Sequence, residues 1–300
     1  MNNKQKLLTA TAITGTIVSA SAFTVFDYAI CRRKKQPDVR KKEKWLKEHQ
    51  EQELKEIRSK DGLTLRAAYI PRENAKGTII CMHGYHSTNN IEFVPEVRFL
   101  WNLGYSILLP WQRSHGKSEG RYITYGVKER HDLKRWILYT NRHLEAKNKD
   151  IFLCGISMGC ATTLMAAGLD LPDNVKGIIA DCGFTSPWDI IKHVAKERFH
   201  LPPFPLMYMV DLISEVVAGF GLKEVSIPEI MKRNKIPVLF IHGDADDYVP
   251  MWMTIKNYEA CAAPKELYIV SGAGHALAFS KDMEEGKRRI KNFINKYKTI

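Results

Sequence analysis

Short apolar runs that alternate with longer amphipathic stretches are the feature that most constrains the fold of this sequence. The apolar runs cover residues 63–70, 78–82, 105–109, 151–154, 175–180, 238–241 and 267–270. Helical patterns separate most of them, over residues 92–103, 128–144, 160–169 and 281–296. Continuous apolar strands separated by helices predict an α/β fold, with a mostly parallel central sheet and helices on both faces.

One gap interrupts this alternation. More than 50 residues separate the run that ends at Ala180 from the run that begins at Val238, and they include an apolar, proline-rich stretch over residues 200–210. This is longer than a simple connection requires. We therefore expect a small helical cap over about residues 187–235, at the carboxyl edge of the sheet where ligands bind in open α/β folds.

A Gly-x-Ser-x-Gly motif, Gly155-Ile-Ser157-Met-Gly159, lies directly after one apolar run and directly before a helical pattern. Small residues flank the serine because a sharp strand-to-helix turn brings neighbouring backbone segments close together. The turn holds the serine out at the top of the sheet, at the positive end of the helix dipole. This context predicts that Ser157 is a nucleophile.

Several ordered motifs give the sequence a resemblance to the α/β-hydrolase superfamily over about residues 60–300, within which small-cap bacterial esterases and peptidase-like hydrolases are most similar. The motifs are His83-Gly84 after an early strand, Gly155-x-Ser157-x-Gly159, His242-Gly-x-x-Asp246-x-x-Val-Pro250 after a late strand, and Gly272-Ala-Gly-His275. The superfamily uses the same chain order of serine, acid and histidine. The resemblance implies an α/β-hydrolase fold and a Ser157, Asp246 and His275 triad.

The assignment of His275 as the general base also has a chemical reason. A serine hydroxyl needs a base within hydrogen-bond reach, and an imidazole can accept its proton and return it to the leaving group. For the acid, the family pattern selects Asp246, while Asp244, Asp247 and Asp181 are the alternatives.

The resemblance further implies an oxyanion hole made of two backbone N–H groups. One belongs to Met158, which follows the nucleophile, and the other to Tyr85, which follows His83-Gly84. The Tyr85 hydroxyl is an additional possible donor.

Charge and ligand patterns argue against several other classes of function. Of the formal net charge of +12, the first 60 residues carry +7, so the body of the chain lacks the basic excess expected of a nucleic-acid binder. No cysteine pair has zinc-ligand spacing and no His-Glu-x-x-His helix occurs, so we expect no metal and no cofactor. The six cysteines are predicted to be free thiols, which favours a reducing compartment.

The amino-terminal region is predicted to be a membrane anchor over residues 1–36. Residues 7–30 contain one charge, Asp27, and are followed by basic residues from Arg32 to Lys35. That length suits a single membrane span, and the basic flank favours a cytoplasmic catalytic domain. The alternatives are a cleaved signal peptide with a site at Ala20-Ser21-Ala22, a soluble helix, and an uncleaved anchor with an extracytoplasmic domain.

Residues 37–60 are dense in charge, with Trp45, Leu46, Leu54 and Ile57 at helical spacing. They are interpreted as a charged linker helix, which leaves residues 61–300 for the hydrolase domain. A basic helix at anionic headgroups is the alternative.

These features together predict a serine hydrolase at the cell membrane that cleaves a carboxylic ester through an acyl-enzyme. The expected partner is a small ester or acyl substrate, and the apolar cap is compatible with a hydrophobic one. A peptidase or an acyltransferase would use the same triad. A membrane-tethered binding protein on a hydrolase fold is the non-catalytic alternative, and it predicts loss of a triad member.

Overall fold

An eight-stranded sheet forms the centre of the structure, a computed structural model that describes residues 19–32, 52–87, 93–144 and 149–299. The strands are β1 (Glu53–Arg58), β2 (Thr64–Ile70), β3 (Gly77–Met82), β4 (Ser106–Pro110), β5 (Asp150–Ile156), β6 (Val175–Asp181), β7 (Val238–Gly243) and β8 (Lys265–Val270). They lie in the order β1-β2-β4-β3-β5-β6-β7-β8. The pairs β1/β2 and β2/β4 are antiparallel, and all other neighbours are parallel.

The central strands bury both of their faces, as the continuous apolar runs predict. In β3, Ile80 and Met82 belong to the core on one side of the sheet, whereas Ile79 and Cys81 belong to the core on the other side. Successive side chains of a strand point to opposite faces, so a strand covered on both sides has no polar face. The predicted α/β architecture is confirmed.

Helices cover both faces of the sheet and contribute side chains to the core on each face. On one side lie α3 (Glu129–His143), α4 (Met158–Ala166) and α8 (Met251–Ala260), and on the other lie α2 (Val94–Asn102), α9 (Ala278–Lys281) and α10 (Met283–Tyr297). Between β6 and β7 come α5 (Pro187–Phe199), α6 (Leu206–Ile213) with a π-helical turn over Ser214–Ala218, and α7 (Ile227–Met231). These short helices occupy the region predicted to form the cap.

The chain order of the strands reverses next to β3. From β3 the chain adds β4 on one side and then returns to add β5 on the other. The loops after β3 and β5 therefore diverge at the carboxyl edge of the sheet, where open α/β folds have their ligand crevice. The segments that follow β3 and β5 begin at His83 and Ser157.

Strand β1 corrects the predicted linker helix, because residues 53–58 pair with β2 and form the edge of the sheet. Leu54 and Ile57 are spaced as on one helical face, yet Leu54 is exposed on this strand. An edge strand that is largely solvated lacks an apolar run, so its sequence does not distinguish it from a charged helix. The rest of the predicted linker up to Glu51 lies outside the described residues.

Helix α1, described over residues 19–30, corrects part of the predicted membrane span. Ala22, Phe26 and Ile30 recur at intervals of four residues, lie on one face, and are almost fully buried in the same core as α3 and α4. No helix within the described parts of the chain is long and apolar enough to cross a membrane. Residues 7–18 of the predicted span lie outside the described residues.

The segment that follows α1 is also tied to the body of the protein. Ile123 N–H donates to Ile30 O at 2.7 Å, and Arg32 N–H donates to Arg121 O at 2.8 Å. The guanidinium of Arg32 donates to the carbonyls of Ser118 and Gly116 at 2.9 and 2.8 Å. Arg32 therefore fixes a loop of the domain, although the sequence suggested that it flanks a membrane span.

Candidate active site

Ser157 occupies the tight turn between β5 and α4. Its backbone has φ 55° and ψ −116°, a strained conformation for a residue with a side chain. A Cβ atom on Gly155 would lie 2.4 Å from Gly159 O, so the turn closes only because residue 155 is a glycine. The N–H of Ser157 donates to Asp181 O at 2.9 Å and ties the turn to the end of β6.

Ser157, His275 and Asp246 form one chain of hydrogen bonds. His275 Nε2 lies 2.9 Å from Ser157 Oγ, and His275 Nδ1 lies 2.7 Å from Asp246 Oδ2. The carboxylate accepts the Nδ1 proton, which leaves the lone pair of Nε2 facing the serine hydroxyl. The three residues follow β5, β7 and β8, whose carboxyl ends lie at the same edge of the sheet.

Asp246 remains charged in this buried position. Burial favours the neutral carboxyl, but hydrogen bonds from His242, from His275 and from backbone N–H groups outweigh it and hold the pKa of Asp246 below its usual range. Its Oδ1 accepts from the N–H groups of Tyr248 and Val249, both at 2.9 Å. A charged carboxylate fixes the tautomer of His275 and can stabilise an imidazolium.

The alternative acids have other partners. Asp244 accepts from Gly272 N–H at 2.6 Å and from the Ser271 hydroxyl at 3.1 Å, so it shapes the loop that carries the histidine. Asp247 is exposed and pairs with Arg198 at 3.4 Å.

Asp181 is a buried carboxyl close to the site, and its Oδ1 has no hydrogen-bond partner. Burial raises its pKa to about 6, against the lowering influence of His242 and His275. The carboxylate that hydrogen-bonds to His275 is that of Asp246.

His242 is a second histidine at Asp246, and sequence reasoning did not assign it a role in the site. Its ring is fully buried, with Nε2 2.9 Å from Val249 O and 3.3 Å from Asp246 Oδ2. Both neighbours are acceptors, so Nε2 carries a proton, while Nδ1 lies 2.7 Å from Thr254 Oγ1. The His-Gly-x-x-Asp spacing was the signal, since it places this histidine at the end of β7, four residues before the acid.

The start of α4 lies directly against the end of β3. A Cβ atom on Gly159 would fall 1.8 Å from Met82 O and 2.7 Å from His83 O, so only glycine permits this approach. The contact brings the segment with Met158 beside the loop with Tyr85. These are the two residues whose N–H groups are predicted to form the oxyanion hole.

A buried polar network holds the loop after β3. His83 Nδ1 donates to Gly84 O at 2.8 Å, and its Nε2 accepts from Gln112 N–H at 3.0 Å. Burial lowers the pKa of His83 to about 4, consistent with a neutral ring. Gln112 in turn donates to His83 O and lies 3.1 Å from the Thr162 hydroxyl, which connects this loop to α4.

His115 supports the same loop from the other side. Its Nε2 accepts from His86 N–H at 3.2 Å, and its Nδ1 lies 2.9 Å from Arg113 O. These contacts explain His83 and His115 as structural hydrogen-bonding residues. The Tyr85 hydroxyl lies 2.8 Å from Ala29 O and 3.1 Å from Tyr28 O, so it contacts α1.

Three side chains of metal-ligating type meet within the described residues: Cys182, Asp246 and His275, whose ligand atoms lie within 4.8 Å of one another. A metal would need the thiolate of Cys182, and burial raises the pKa of that thiol well above its usual value. Asp246 already accepts a hydrogen bond from His275 Nδ1. The donor set therefore suits hydrogen bonding better than metal coordination.

Several known proteins are similar to this chain in sequence or fold. Esterase Pf2001 of Pyrococcus furiosus is 25% identical and superposes with a TM-score of 0.69, over 84% of this chain and 95% of that protein. The uncharacterized protein YqkD of Bacillus subtilis is 28% identical over 239 residues, which cover 80% of this chain and 78% of YqkD. Protein bem46 of Schizosaccharomyces pombe is 25% identical over 222 residues, 73% of this chain and 68% of bem46.

The fold and these similarities define the class of protein: it is a hydrolase of the α/β-hydrolase superfamily. The profile of the prolyl oligopeptidase family matches residues 118–299, which include the turn with Ser157 and the loops with Asp246 and His275. The chain belongs to the prolyl oligopeptidase family.

Proposed function

We propose that this protein is a serine hydrolase that cleaves carboxylic esters through an acyl-enzyme intermediate. The observation that carries the proposal is the chain of hydrogen bonds from Ser157 through His275 to the charged carboxylate of Asp246. Nothing else among the described residues pairs a strained serine with a base and an oriented acid.

The reaction follows from the positions of the protons. As Ser157 Oγ attacks the ester carbonyl carbon, its proton passes to His275 Nε2, and Asp246 stabilises the imidazolium. The N–H groups of Met158 and Tyr85 stabilise the oxyanion. When the C–O bond breaks, His275 protonates the departing alkoxide. Water, activated by the same nitrogen, then releases the acid and restores the serine.

The choice of ester over amide rests on two supports. The solved structure of Pf2001, an esterase, is 25% identical to this chain. An apolar cavity adjoins the site, which suits the acyl part of an ester better than a polar peptide backbone. Peptide hydrolysis is the second candidate, and membership of the prolyl oligopeptidase family favours it. Acyl transfer to another acceptor would use the same acyl-enzyme.

Hydrolysis of p-nitrophenyl acetate and of proline-containing peptide nitroanilides by the purified full-length protein tests the proposal. We expect ester cleavage that Ser157→Ala lowers by about 10⁴-fold or more, because the nucleophile is lost. Ser280→Ala is the matched control, since this serine is exposed on α9 and has no place in the site. Peptide cleavage without ester cleavage would overturn the ester assignment, and an active Ser157→Ala enzyme would overturn the mechanism.

We also propose that the protein is located at a cell membrane. The support is the basic excess of the first 60 residues, which would be attracted to anionic lipid. Fractionation of cells should recover the full-length chain with membranes, and protease protection should place the domain in the cytoplasm. Recovery in the soluble fraction would contradict the proposal.

A further inference from the structure

An apolar cavity of about 200 Å³ lies between α1 and α5. Helix α1 contributes Thr24, Val25, Tyr28 and Ala29. The opposite wall is the face of α5 that includes Ile190, Ile191, Val194, Ala195 and Phe199. The cavity therefore has two walls that are far apart in sequence, and one of them is the helix predicted to lie in a membrane.

The cavity adjoins the candidate active site through two tyrosines that line it, Tyr85 and Tyr248. The Tyr248 ring lies 5.1 Å from the ring of His275, and its backbone N–H donates to Asp246. Tyr85 belongs to the loop that carries the predicted oxyanion donor. The cavity therefore lies beside the loops that carry the predicted oxyanion donor and the acid of the triad.

Three polar side chains of the cavity lining have hydrogen-bond partners within the protein. The hydroxyls of Tyr85 and Tyr125 both donate to Ala29 O, at 2.8 and 3.0 Å, and the hydroxyl of Thr24 donates to Ala20 O at 2.9 Å. A polar ligand would gain little here and would lose its contacts with water. The lining thus selects an aliphatic group.

Docking of α1 and formation of the cavity depend on the same contacts. The two tyrosine hydroxyls bond the carbonyl of Ala29 near the end of α1, while Phe26 and Ile30 bury the helix in the core. Tyr28 meets Phe199 of α5 edge to face, with ring centroids 5.6 Å apart, at the rim of the cavity. Without α1, the face of α5 that lines the cavity would be open to solvent.

We propose that α1 and α5 together form the acyl-binding pocket of this enzyme, for a straight aliphatic chain of about eight carbons. The proposal rests on the proposed ester hydrolysis, and it identifies the acyl chain as the part of the substrate that the enzyme recognises. The length follows from volume, because a dry apolar cavity of about 150 Å³ accommodates the six carbons of benzene. A cavity of about 200 Å³ has room for about eight.

Chain-length selectivity of the purified full-length enzyme tests this pocket. Burial of each methylene is worth up to about fourfold in transition-state binding. We expect kcat/KM for p-nitrophenyl octanoate to exceed that for the acetate by at least about tenfold, and kcat/KM for the palmitate to fall below that for the octanoate. Val194→Trp on α5 and Val25→Trp on α1 should each lower the octanoate-to-acetate ratio by about tenfold or more, since an indole fills the space of the chain.

Lys192→Trp is the matched control, because this residue is exposed on α5 and does not line the cavity. It should keep the wild-type ratio. Labelling by a fluorophosphonate probe shows in each variant that the nucleophile is assembled. Labelled tryptophan variants that keep the wild-type ratio would overturn the pocket while leaving ester hydrolysis intact. Absence of labelling and of cleavage of every ester in the wild type would instead overturn the proposed function, and the pocket with it.

Discussion

Replacing Phe26 with alanine should destabilise the whole hydrolase body, because this side chain of α1 lies in its core. Phe26 is only 2% exposed, and its ring centroid lies 5.9 Å from that of Tyr122. Truncation of a buried phenylalanine costs about 3–5 kcal/mol in the free energy of unfolding. The midpoint of thermal unfolding should fall by roughly 6 °C or more, at about 2–4 °C per kcal/mol for a chain of this size.

Phe23→Ala is the matched control on the same helix, since Phe23 is 57% exposed. We expect it to lower the free energy of unfolding by no more than about 1 kcal/mol. Urea unfolding of the full-length protein, followed by tryptophan fluorescence, measures both variants. Equal effects of the two substitutions would refute the docking of α1, because a helix separate from the hydrolase body would contribute nothing to its unfolding.

Three further substitutions test the interior of the protein. Burial raises the pKa of Asp181 from 3.8 to about 6, so stability is lost as the pH rises between these values. Asp181→Asn should raise the free energy of unfolding at pH 7 by as much as about 3 kcal/mol, and it should flatten the pH dependence of urea unfolding between pH 4 and 6. An unchanged pH dependence would contradict this. His242→Leu removes a hydrogen bond to charged Asp246 and should lower kcat/KM by about 10- to 100-fold, whereas wild-type kinetics would exclude a positioning role. Arg113→Ala leaves the buried carboxylate of Asp132 unpaired and should cost about 3–5 kcal/mol in urea unfolding; a loss below about 1 kcal/mol would count against it.

The sheet and the Ser157, His275 and Asp246 chain were predictable because local sequence encodes them. Buried strands produce continuous apolar runs, and each of the three residues follows such a run in a recognisable motif. The parallel arrangement of the strands then brings their carboxyl ends to one edge. Proximity of the three side chains follows from topology once the strands are assigned.

Strand β1 and helix α1 were not predictable, for opposite reasons. The edge strand is largely exposed, so Leu54 and Ile57 give no apolar alternation and their spacing imitates a helix. Helix α1 is apolar, but an apolar helix buried in a domain and one buried in lipid have similar sequences. The partners that distinguish them, such as Tyr85 and Tyr125, lie more than 50 residues away.

The role of His242 required the structure as well. The sequence places it four residues before Asp246 at a strand end, where a histidine packed in the core is an equally reasonable interpretation. Only the positions of Val249 O and Asp246 Oδ2, both near Nε2, reveal that it donates toward the acid.

Covalent labelling of Ser157 tests the central claim most directly. The full-length protein is incubated with a fluorophosphonate, and the adduct is counted by intact mass spectrometry and located by peptide mapping. We predict one adduct per chain, located on Ser157 and absent from Ser157→Ala, and much slower labelling of His275→Ala because the base is missing. A folded wild-type protein that forms no adduct, or a Ser157→Ala protein that still forms one, would contradict the account.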